Sequence, residues 1–385
     1  MSTVRLTMAQ ALLRFLLAQR SEIDGHETPL FAGVFAIFGH GNVAGLGEAL
    51  YEVRETLPTL RAHNEQAMAL AAIAFAKQSR RRRMMACTTS IGPGATNMIT
   101  AAAVAFANRL PVLLLPGDIF AGRRPDPVLQ QIESFGDPTI SVTDCFRPVS
   151  RWWDRITRPE QILQSLPQAM RVLTDPADCG PVTLALPQDV QAEAYDYPEE
   201  FFRLRHWRFR RPPPDTAQLA DAAAVLAHAQ APLIVAGGGV HYSLASEALA
   251  DFAERHNIPV AETQAGKGAL PWDHPQAAGA IGVTGASAAN ALAAEADAIL
   301  AVGTRLSDFT TASRSLFRNR DAALIQLNAA GFDASKHGAL PLVADARAGL
   351  EALSGRLGGW RAPASWSERA HRSEEHTSEL QSRHN

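Results

Sequence analysis

The chain has 385 residues, enough for about two to three ordinary domains, which excludes a peptide or a single small module. Hydrophobic residues make up 46% and charged residues 19%, a composition that excludes wholesale disorder and a long coiled coil. The formal net charge is −3, so no overall positive field would attract nucleic acid or an acidic membrane, and small-molecule chemistry is the expectation.

The cysteines and the apolar runs indicate where in the cell the protein is located. Cys87, Cys145 and Cys179 are an odd number at wide spacing and form no CxxC motif. Neither a disulfide framework nor a zinc site is indicated, and a cytoplasmic location is expected. No uninterrupted apolar stretch reaches the length of about 18 residues that a membrane helix needs, so we expect a soluble protein without a membrane partner.

Alternating apolar runs and helical segments follow one another along the chain. Thr7 and Gln10 have the spacing of a capping box, which predicts an amphipathic helix through Leu17. The predicted strands are residues 31–38, 84–90, 111–118 and 182–187 in the first half, and 232–240, 258–263, 298–306 and 323–328 in the second. This alternation predicts the α/β class, with two doubly wound domains built on parallel sheets.

Composition predicts the domain boundaries. Residues 203–215 are basic and then proline-rich, which is typical of a linker, so we expect domains at residues 1–202 and 216–366. Residues 367–385 contain only Ala370 and Leu380 as apolar residues, which predicts a disordered tail. The tail resembles translated sequencing adaptor foreign to the gene, and its histidines are not proposed as metal ligands. No metal site is predicted in the chain.

Two loops after predicted strands could carry chemistry. The turn Gly39–Ala44 has the loose pattern GxGxxA, for which a tight turn and a ligand contact are both open. Glu65 begins a predicted helix, where a carboxylate also complements the helix dipole. The segment Gly92–Asn97, GPGATN, follows the next strand, so it and Glu65 should lie at the same edge of the sheet.

A family resemblance rests on these motifs. The sequence HNEQ at 63–66, followed by TTSIGPGATN at 88–97, resembles the pyrimidine-binding domain of thiamine-diphosphate enzymes of the acetolactate-synthase type. TQAGKG at 263–268 and GAIGVTG at 279–285 resemble the central domain of that family. The resemblance covers about residues 5–350, nearly all of the usable chain.

The resemblance implies a role for each site residue. Glu65 would be the catalytic glutamate that shares a proton with the aminopyrimidine of thiamine diphosphate. The cofactor-binding residues implied in the same way are Gly41, Asn42, Glu65, Pro93, Gly94, Asn97 and Gln130, with Gln130 close to the thiazolium or substrate. Glycines at 237–239 resemble segments that hold FAD in some relatives, but we favour tight turns and do not expect FAD.

The family holds the diphosphate through Mg²⁺ in a third domain, which this chain lacks. Gly117 and Asp118 do not supply its GDG motif, because Ile119 follows. We therefore expect a C-terminally truncated chain that is inactive alone, from a protein whose active sites form between subunits of a homodimer or higher homo-oligomer.

Three longer stretches, at residues 38–50, 124–156 and 173–198, resemble one branch of the family. Its members hydrolyse a carbon–carbon bond in a cyclic 1,2-diketone during myo-inositol degradation and release 5-deoxyglucuronate. The expected substrate is therefore a small cyclic diketone. An acetolactate-synthase-like carboligase of 2-oxo acids and a non-catalytic two-domain module remain the alternatives.

Overall fold

A computed structural model of the chain describes residues 2–125, 127–132 and 134–369. The chain divides into two compact units, with the division between Arg210 and Arg211. The predicted tail therefore lies largely outside the described residues. Its first part does not, because residues 364–369 are helical and Ser367 is only 7% exposed, with its hydroxyl accepting a hydrogen bond from Asn257. The packed chain thus continues to residue 369, past the predicted start of the tail.

The first unit contains the following strands and helices. The strands are β1 (Thr3–Thr7), β2 (Gln19–Ile23), β3 (His26–Pro29), β4 (Phe31–Ala36), β5 (Thr59–Arg61), β6 (Met84–Thr89), β7 (Val112–Asp118), β8 (Trp152–Arg155), β9 (Pro181–Pro187), β10 (Ala194–Pro198) and β11 (Arg205–Arg208). The helices are α1 (Met8–Leu17), α2 (Glu48–Glu52), α3 (Glu65–Gln78), α4 (Pro93–Thr96), α5 (Ile99–Asn108), α6 (Ile162–Leu173) and α7 (Gln188–Ala192).

The main sheet of the first unit is parallel throughout, in the order β5-β4-β6-β7-β9-β8. Every residue of β6, β7 and β9 is buried, so the predicted apolar runs became the centre of the sheet. The edge strand β8 was not predicted from the sequence, because four residues are too few for a periodic signal.

Residues 203–215, predicted to be a linker, contain the division between the two units and also a strand. Residues 205–208 form β11, which pairs in parallel with β2 in a small sheet of order β11-β2-β3. The Trp207 indole donates to Oε1 of Gln19 at 2.9 Å, and Arg208 pairs with Glu22 at 2.7 Å. Trp207 and Arg208 therefore join a strand here because an amide and an acidic side chain of β2 accept their hydrogen bonds.

The predicted capping box at the start of the first helix is confirmed. The amide of Gln10 donates to the Thr7 hydroxyl at 3.2 Å, and the amide of Thr7 donates to Oε1 of Gln10 at 3.0 Å. The apolar face of α1, including Phe15, is fully buried in the core of the first unit. Within the described ranges, no helix combines the length and hydropathy needed to cross a membrane.

The second unit repeats the architecture with a different strand order. Its strands are β12 (Pro232–Ala236), β13 (Val260–Glu262), β14 (Ala277–Ala280), β15 (Ala298–Val302), β16 (Ala323–Asn328) and β17 (Leu340–Val343). Its helices are α8 (Thr216–His228), α9 (Gly238–Tyr242), α10 (Ser246–His256), α11 (Ser287–Glu295), α12 (Asp308–Thr311), α13 (Gly331–Ala334) and α14 (Ala346–Leu357). The parallel order is β14-β13-β12-β15-β16-β17.

Both faces of the second sheet are covered. Ile234 and Leu300 belong to one buried apolar cluster, whereas their strand neighbours Leu233, Val235 and Ile299 belong to another. Successive side chains of a strand point to opposite faces, so the two clusters lie on the two sides of the sheet. The second unit is therefore doubly wound, as the uninterrupted apolar runs predicted.

Candidate functional site

The candidate site lies at the carboxyl ends of the central strands of the first sheet. The turn after β4, the glycine segment after β6 and the loop after β7 all leave the sheet at this edge, because the three strands are neighbours and parallel. Open α/β sheets bind their ligands in this position. The edge therefore brings together segments that are far apart in sequence.

Glu65 and Asn97 form the central contact of the site. The Asn97 side-chain amide donates to Oε2 of Glu65 at 2.7 Å. Helix α3 begins at Glu65, and Asn64 caps it by accepting from the amide of Ala67 at 2.8 Å. Because Asn64 caps the helix, the carboxylate of Glu65 is left to face the glycine segment. The predicted proximity of Glu65 and the segment 92–97 is confirmed by this contact.

The second oxygen of Glu65 faces Gly94. A Cβ atom built on Gly94 would lie 3.3 Å from Oε1, so a side chain at this position would crowd the carboxylate. Glu65 is partly buried, and no donor from the described ranges hydrogen-bonds Oε1. One oxygen of the Glu65 carboxylate, Oε2, is therefore anchored by Asn97. The other, Oε1, is available and lies beside Gly94, which has no side chain. Pro93, the first residue of α4, is exposed next to them.

Gly92 brings the long loop after β7 onto the site. Its φ of +65° lies in the left-handed region, and a Cβ built there would lie 1.9 Å from the carbonyl oxygen of Gln130. Only glycine allows this approach. The contact uses the main chain of Gln130, whose φ is +61° and whose side chain is exposed.

The turn after β4 is held by its own hydrogen bonds. Asn42 is 1% exposed, and its side chain accepts from the amide of Gly39 at 3.0 Å and donates to Ile37 and Thr88 at 3.1 Å each. The amide of Gly41 donates to the Ser90 hydroxyl at 3.3 Å. The Asn42 side chain and the Gly41 amide are therefore engaged in hydrogen bonds within the protein. Both residues shape the wall of the site. Ligand contact by them stays a prediction.

Gln191 was missed by the sequence reasoning. It is 1% exposed on α7, donates to the carbonyls of Gly41 and Leu186 at 2.8 and 2.9 Å, and accepts from the amide of Leu46 at 3.2 Å. One side chain thus links the turn after β4 to the end of β9. A lone glutamine in a short helix has no sequence signal that could have revealed this role.

Asp118 forms a buried charged network at the base of the loop. It is fully buried at the end of β7 and accepts hydrogen bonds from the hydroxyls of Ser141 and Thr143, the latter at 2.7 Å. Arg155 on β8 pairs with it at 2.7 Å and with Asp144 at 2.8 Å. The network joins the two ends of the loop 119–140, which carries Gln130. Because protein donors engage both carboxylate oxygens, Asp118 is a structural anchor here.

The charges in this network perturb one another. Burial alone would raise the pKa of Asp144, but hydrogen bonds from the Ser141 amide, Arg155 and Arg147 lower it below its ordinary value. Burial alone would lower the pKa of Arg155, whereas Asp118 and Asp144 raise it. Both members of the pair are therefore held in their charged forms.

Neither buried cysteine is suited to be a nucleophile. Burial raises the pKa of the Cys87 thiol far above its ordinary value, and burial raises that of Cys179 to about 11. Thiols in such surroundings stay protonated. Across the ranges that the structure describes, no group of three or more His, Cys, Asp or Glu side chains could hold a metal ion.

The glycines at residues 237–239 in the second unit pack against another turn. A Cβ built on Gly239 would lie 2.6 Å from Cα of Gly303, and one on Gly237 would lie 2.5 Å from the carbonyl oxygen of Gly303. These positions require glycine because two turns meet backbone to backbone. Packing is thus a sufficient reason for the glycines.

The class of protein follows from comparison with known families. Residues 31–136 match the N-terminal TPP binding domain of thiamine pyrophosphate enzymes, and residues 219–353 match their central domain. The first match contains Glu65, Gly94 and Asn97, and the second contains the second parallel sheet. The chain belongs to the thiamine pyrophosphate enzyme family.

Particular relatives are much closer than the family as a whole. The chain is 56% identical over 358 residues to the 3D-(3,5/4)-trihydroxycyclohexane-1,2-dione hydrolase of Geobacillus thermodenitrificans, covering 93% of this chain and 56% of the relative. It is 52% identical over 357 residues to the hydrolase of the same name from Clostridium tetani, covering 93% and 55%. The chain therefore spans a little over half the length of these relatives.

The buried network makes a first prediction about stability. Replacing Arg155 with Met leaves Asp118 charged, buried and without its cation, and should lower the free energy of unfolding by about 3–5 kcal/mol. The double variant D118N/R155M should recover part of this loss, because no unpaired charge remains. Urea unfolding followed by circular dichroism measures both. Equal stability of the single and double variants would contradict the assigned role of the ion pair.

The lowered pKa of Asp144 predicts a pH dependence. A carboxyl group whose pKa is lower in the folded state stabilises the protein above its unfolded-state pKa, and this contribution is lost as the pH falls through the folded-state value. Below about pH 4 the thermal unfolding midpoint of the parent protein should therefore fall more steeply than that of D144N. Parallel profiles of the two proteins between neutral and acid pH would count against the pKa shift.

Proposed function

We propose that the protein is a thiamine-diphosphate-dependent hydrolase that opens the ring of 3D-(3,5/4)-trihydroxycyclohexane-1,2-dione to 5-deoxyglucuronate in myo-inositol degradation. The observation that carries the proposal is identity of 52–56% to hydrolases of this name over 93% of the chain. The contact between Glu65 and Asn97 supports it independently, because it anchors one oxygen of a carboxylate and leaves the other available beside Gly94.

The residues at this edge fit the aminopyrimidine ring of the cofactor. Oε1 of Glu65 is available to a ring nitrogen, and the missing side chain at Gly94 leaves room for a flat group beside it. When bound, thiamine diphosphate supplies an electron sink for cleavage of a carbon–carbon bond next to a carbonyl. Glu65 holds a proton at its Oε1 and shares it with the ring nitrogen.

In this proposal Asn97 orients the carboxylate of Glu65. Its hydrogen bond to Oε2 fixes the plane of the carboxylate, so Oε1 keeps one direction. Pro93 fixes the backbone at the start of α4 and thereby holds Gly94 in place. These two residues position the site, and Glu65 carries the proton.

Gln130 lies in the loop 119–140, whose two ends are joined by the Asp118 network, and this loop brings it to the site. Its main chain lies on Gly92, so its exposed side chain is free to contact the substrate or the thiazolium ring. Gly41 and Asn42 form the opposite wall through the turn after β4. We propose that they exclude water from the pyrimidine ring by shape, since their polar groups are engaged in the turn.

The described residues do not fit Mg²⁺. No cluster of three or more acidic, histidine or cysteine side chains occurs in the part of the chain that the structure describes. We propose that Mg²⁺ and the diphosphate are held outside these two domains, on a partner subunit of a homodimer or larger homo-oligomer. We further propose that the enzyme is cytoplasmic, acts on a small diketone and has no nucleic-acid partner.

Product analysis tests this function. The protein expressed from its complete gene is incubated with the cyclic diketone, thiamine diphosphate and Mg²⁺, and ring opening is followed by mass spectrometry. The expected product is 5-deoxyglucuronate, formed with uptake of one water. Formation of acetolactate from pyruvate without ring opening would establish the carboligase instead. Absence of both products with a correctly folded protein would favour a non-catalytic module.

Glu65→Gln should separate proton transfer from binding. Glutamine can hydrogen-bond the ring nitrogen but cannot share a proton with it, so turnover should fall by about 10²–10⁴ while the cofactor still binds. The matched control is Glu48→Gln, which removes an exposed acid from the first turn of α2. Steady-state kinetics and cofactor titration measure both effects. Unchanged turnover in E65Q would remove Glu65 from the mechanism.

Gly94→Ala should act on cofactor affinity. The added Cβ lies 3.3 Å from Oε1 of Glu65 and takes space proposed for the ring, so the apparent Kd for thiamine diphosphate should rise about tenfold or more. Gly136→Ala is the control, because a Cβ built there has no atom within 4 Å. If both variants bind the cofactor like the parent, the ring does not lie beside Gly94.

A further inference from the structure

A basic segment lies at the opposite edge of the first sheet. Arg80, Arg81, Arg82 and Arg83 follow the end of α3 and lead directly into β6, so they are at the amino end of this strand. Glu65 begins α3, which has 14 residues and is therefore about 20 Å long. The basic segment is thus well separated from the candidate cofactor site.

Arg82 is a partly buried cation that has no ion-pair partner among the described residues. Its Nε–H is buried with no hydrogen-bond acceptor, and no carboxylate of the described residues lies within 4.0 Å of its guanidinium. Burial and the neighbouring charge of Arg80 lower the pKa of Arg82, with Asp24 opposing them. Partial burial beside a like charge therefore favours the binding of a further anion.

The neighbouring arginines add to this charge. Arg83 donates from Nε to the carbonyl of Pro29 at 3.3 Å and lies over the Phe75 ring at 5.9 Å. These contacts orient its guanidinium but do not neutralise it, and Arg80 is exposed. The segment carries four guanidinium groups, against which the C-terminal end of α3 supplies only about −0.5 of a charge and Asp24 one carboxylate. The positive charge therefore exceeds what the helix end compensates.

The backbone of the segment turns sharply at the end of α3. Arg80 and Arg81 have φ values of 52° and 63°, in the left-handed region that non-glycine residues seldom adopt. Main-chain hydrogen bonds from Arg81 to Ala76 at 2.8 Å and from Arg82 to Ser79 at 3.0 Å hold this turn. These hydrogen bonds are those with which α-helices commonly end, and the turn brings the four arginines together at the end of α3.

From these observations we infer that Arg80, Arg82 and Arg83 bind a small phosphate-bearing anion at the amino edge of the first sheet. A phosphate dianion would supply the missing negative charge and accept paired hydrogen bonds from the planar guanidinium groups. The site is separate from Glu65 and does not depend on the proposed reaction. Inorganic phosphate and a sugar phosphate share the required chemistry, and titration can distinguish them.

The test is isothermal titration of the chain with inorganic phosphate and with glucose 6-phosphate, at constant ionic strength in chloride. Arg82→Gln should weaken binding at least about tenfold, and Arg82→Lys should retain part of it because the charge remains. The matched control is Arg5→Gln, which removes an exposed arginine paired with Asp196. E65Q should bind the anion like the parent, which separates this site from the cofactor site.

Tighter binding of inorganic phosphate would identify free phosphate as the ligand. Tighter binding of glucose 6-phosphate would identify a phosphorylated metabolite. Binding that is equal in the parent and R82Q would overturn the proposal, as would absence of binding of both anions to the parent. Circular dichroism establishes that R82Q is folded. If it is not, Arg80→Gln, an exposed position, replaces it with the same expected loss.

Discussion

Parallel pairing of the central strands is the constraint on which the candidate site depends. In a parallel sheet, all carboxyl ends meet at one edge, and the amino ends meet at the other. This pairing places the turn after β4, the glycine segment after β6 and the loop after β7 side by side. Helix α3 returns from one edge to the other, so Glu65 faces Asn97 and the arginines at its far end gather at the opposite edge.

The network around Asp118 shows how a buried charge can organise a long loop. Two hydroxyl groups and an arginine saturate the carboxylate, and they come from the loop's end and from the edge strand β8. A buried ion pair contributes little net stability, but the loss of one partner is costly. Such a pair therefore favours one loop arrangement over others, and that arrangement determines where Gln130 meets Gly92.

The family resemblance and the geometry contribute different parts of the functional argument. Similarity to thiamine pyrophosphate enzymes supports the proposed chemistry, because the domain matches contain the strands β4 to β7 of the first sheet and the whole second sheet. The geometry divides the predicted site residues into two groups. Glu65, Gly94 and Asn97 lie together and leave Oε1 of Glu65 without a hydrogen bond from the described residues, whereas the side chain of Asn42 is fully engaged within its turn. The proposal therefore assigns different roles to residues of the same family signature: Glu65 carries a proton, Asn97 positions it, and Asn42 shapes the wall.

By itself the sequence determined the α/β class, the central strands, the first helix cap and the proximity of Glu65 to the glycine segment. Long apolar runs and capping patterns are local signals, and parallel topology then fixes the edge at which loops meet. The short edge strand β8, the pairing of β11 with β2, the role of Gln191 and the Asp118–Arg155 network were decided by tertiary structure. Their partners lie far apart in the chain, so no local pattern records them. Burial, which makes an unpaired charge costly, exists only once the chain has folded.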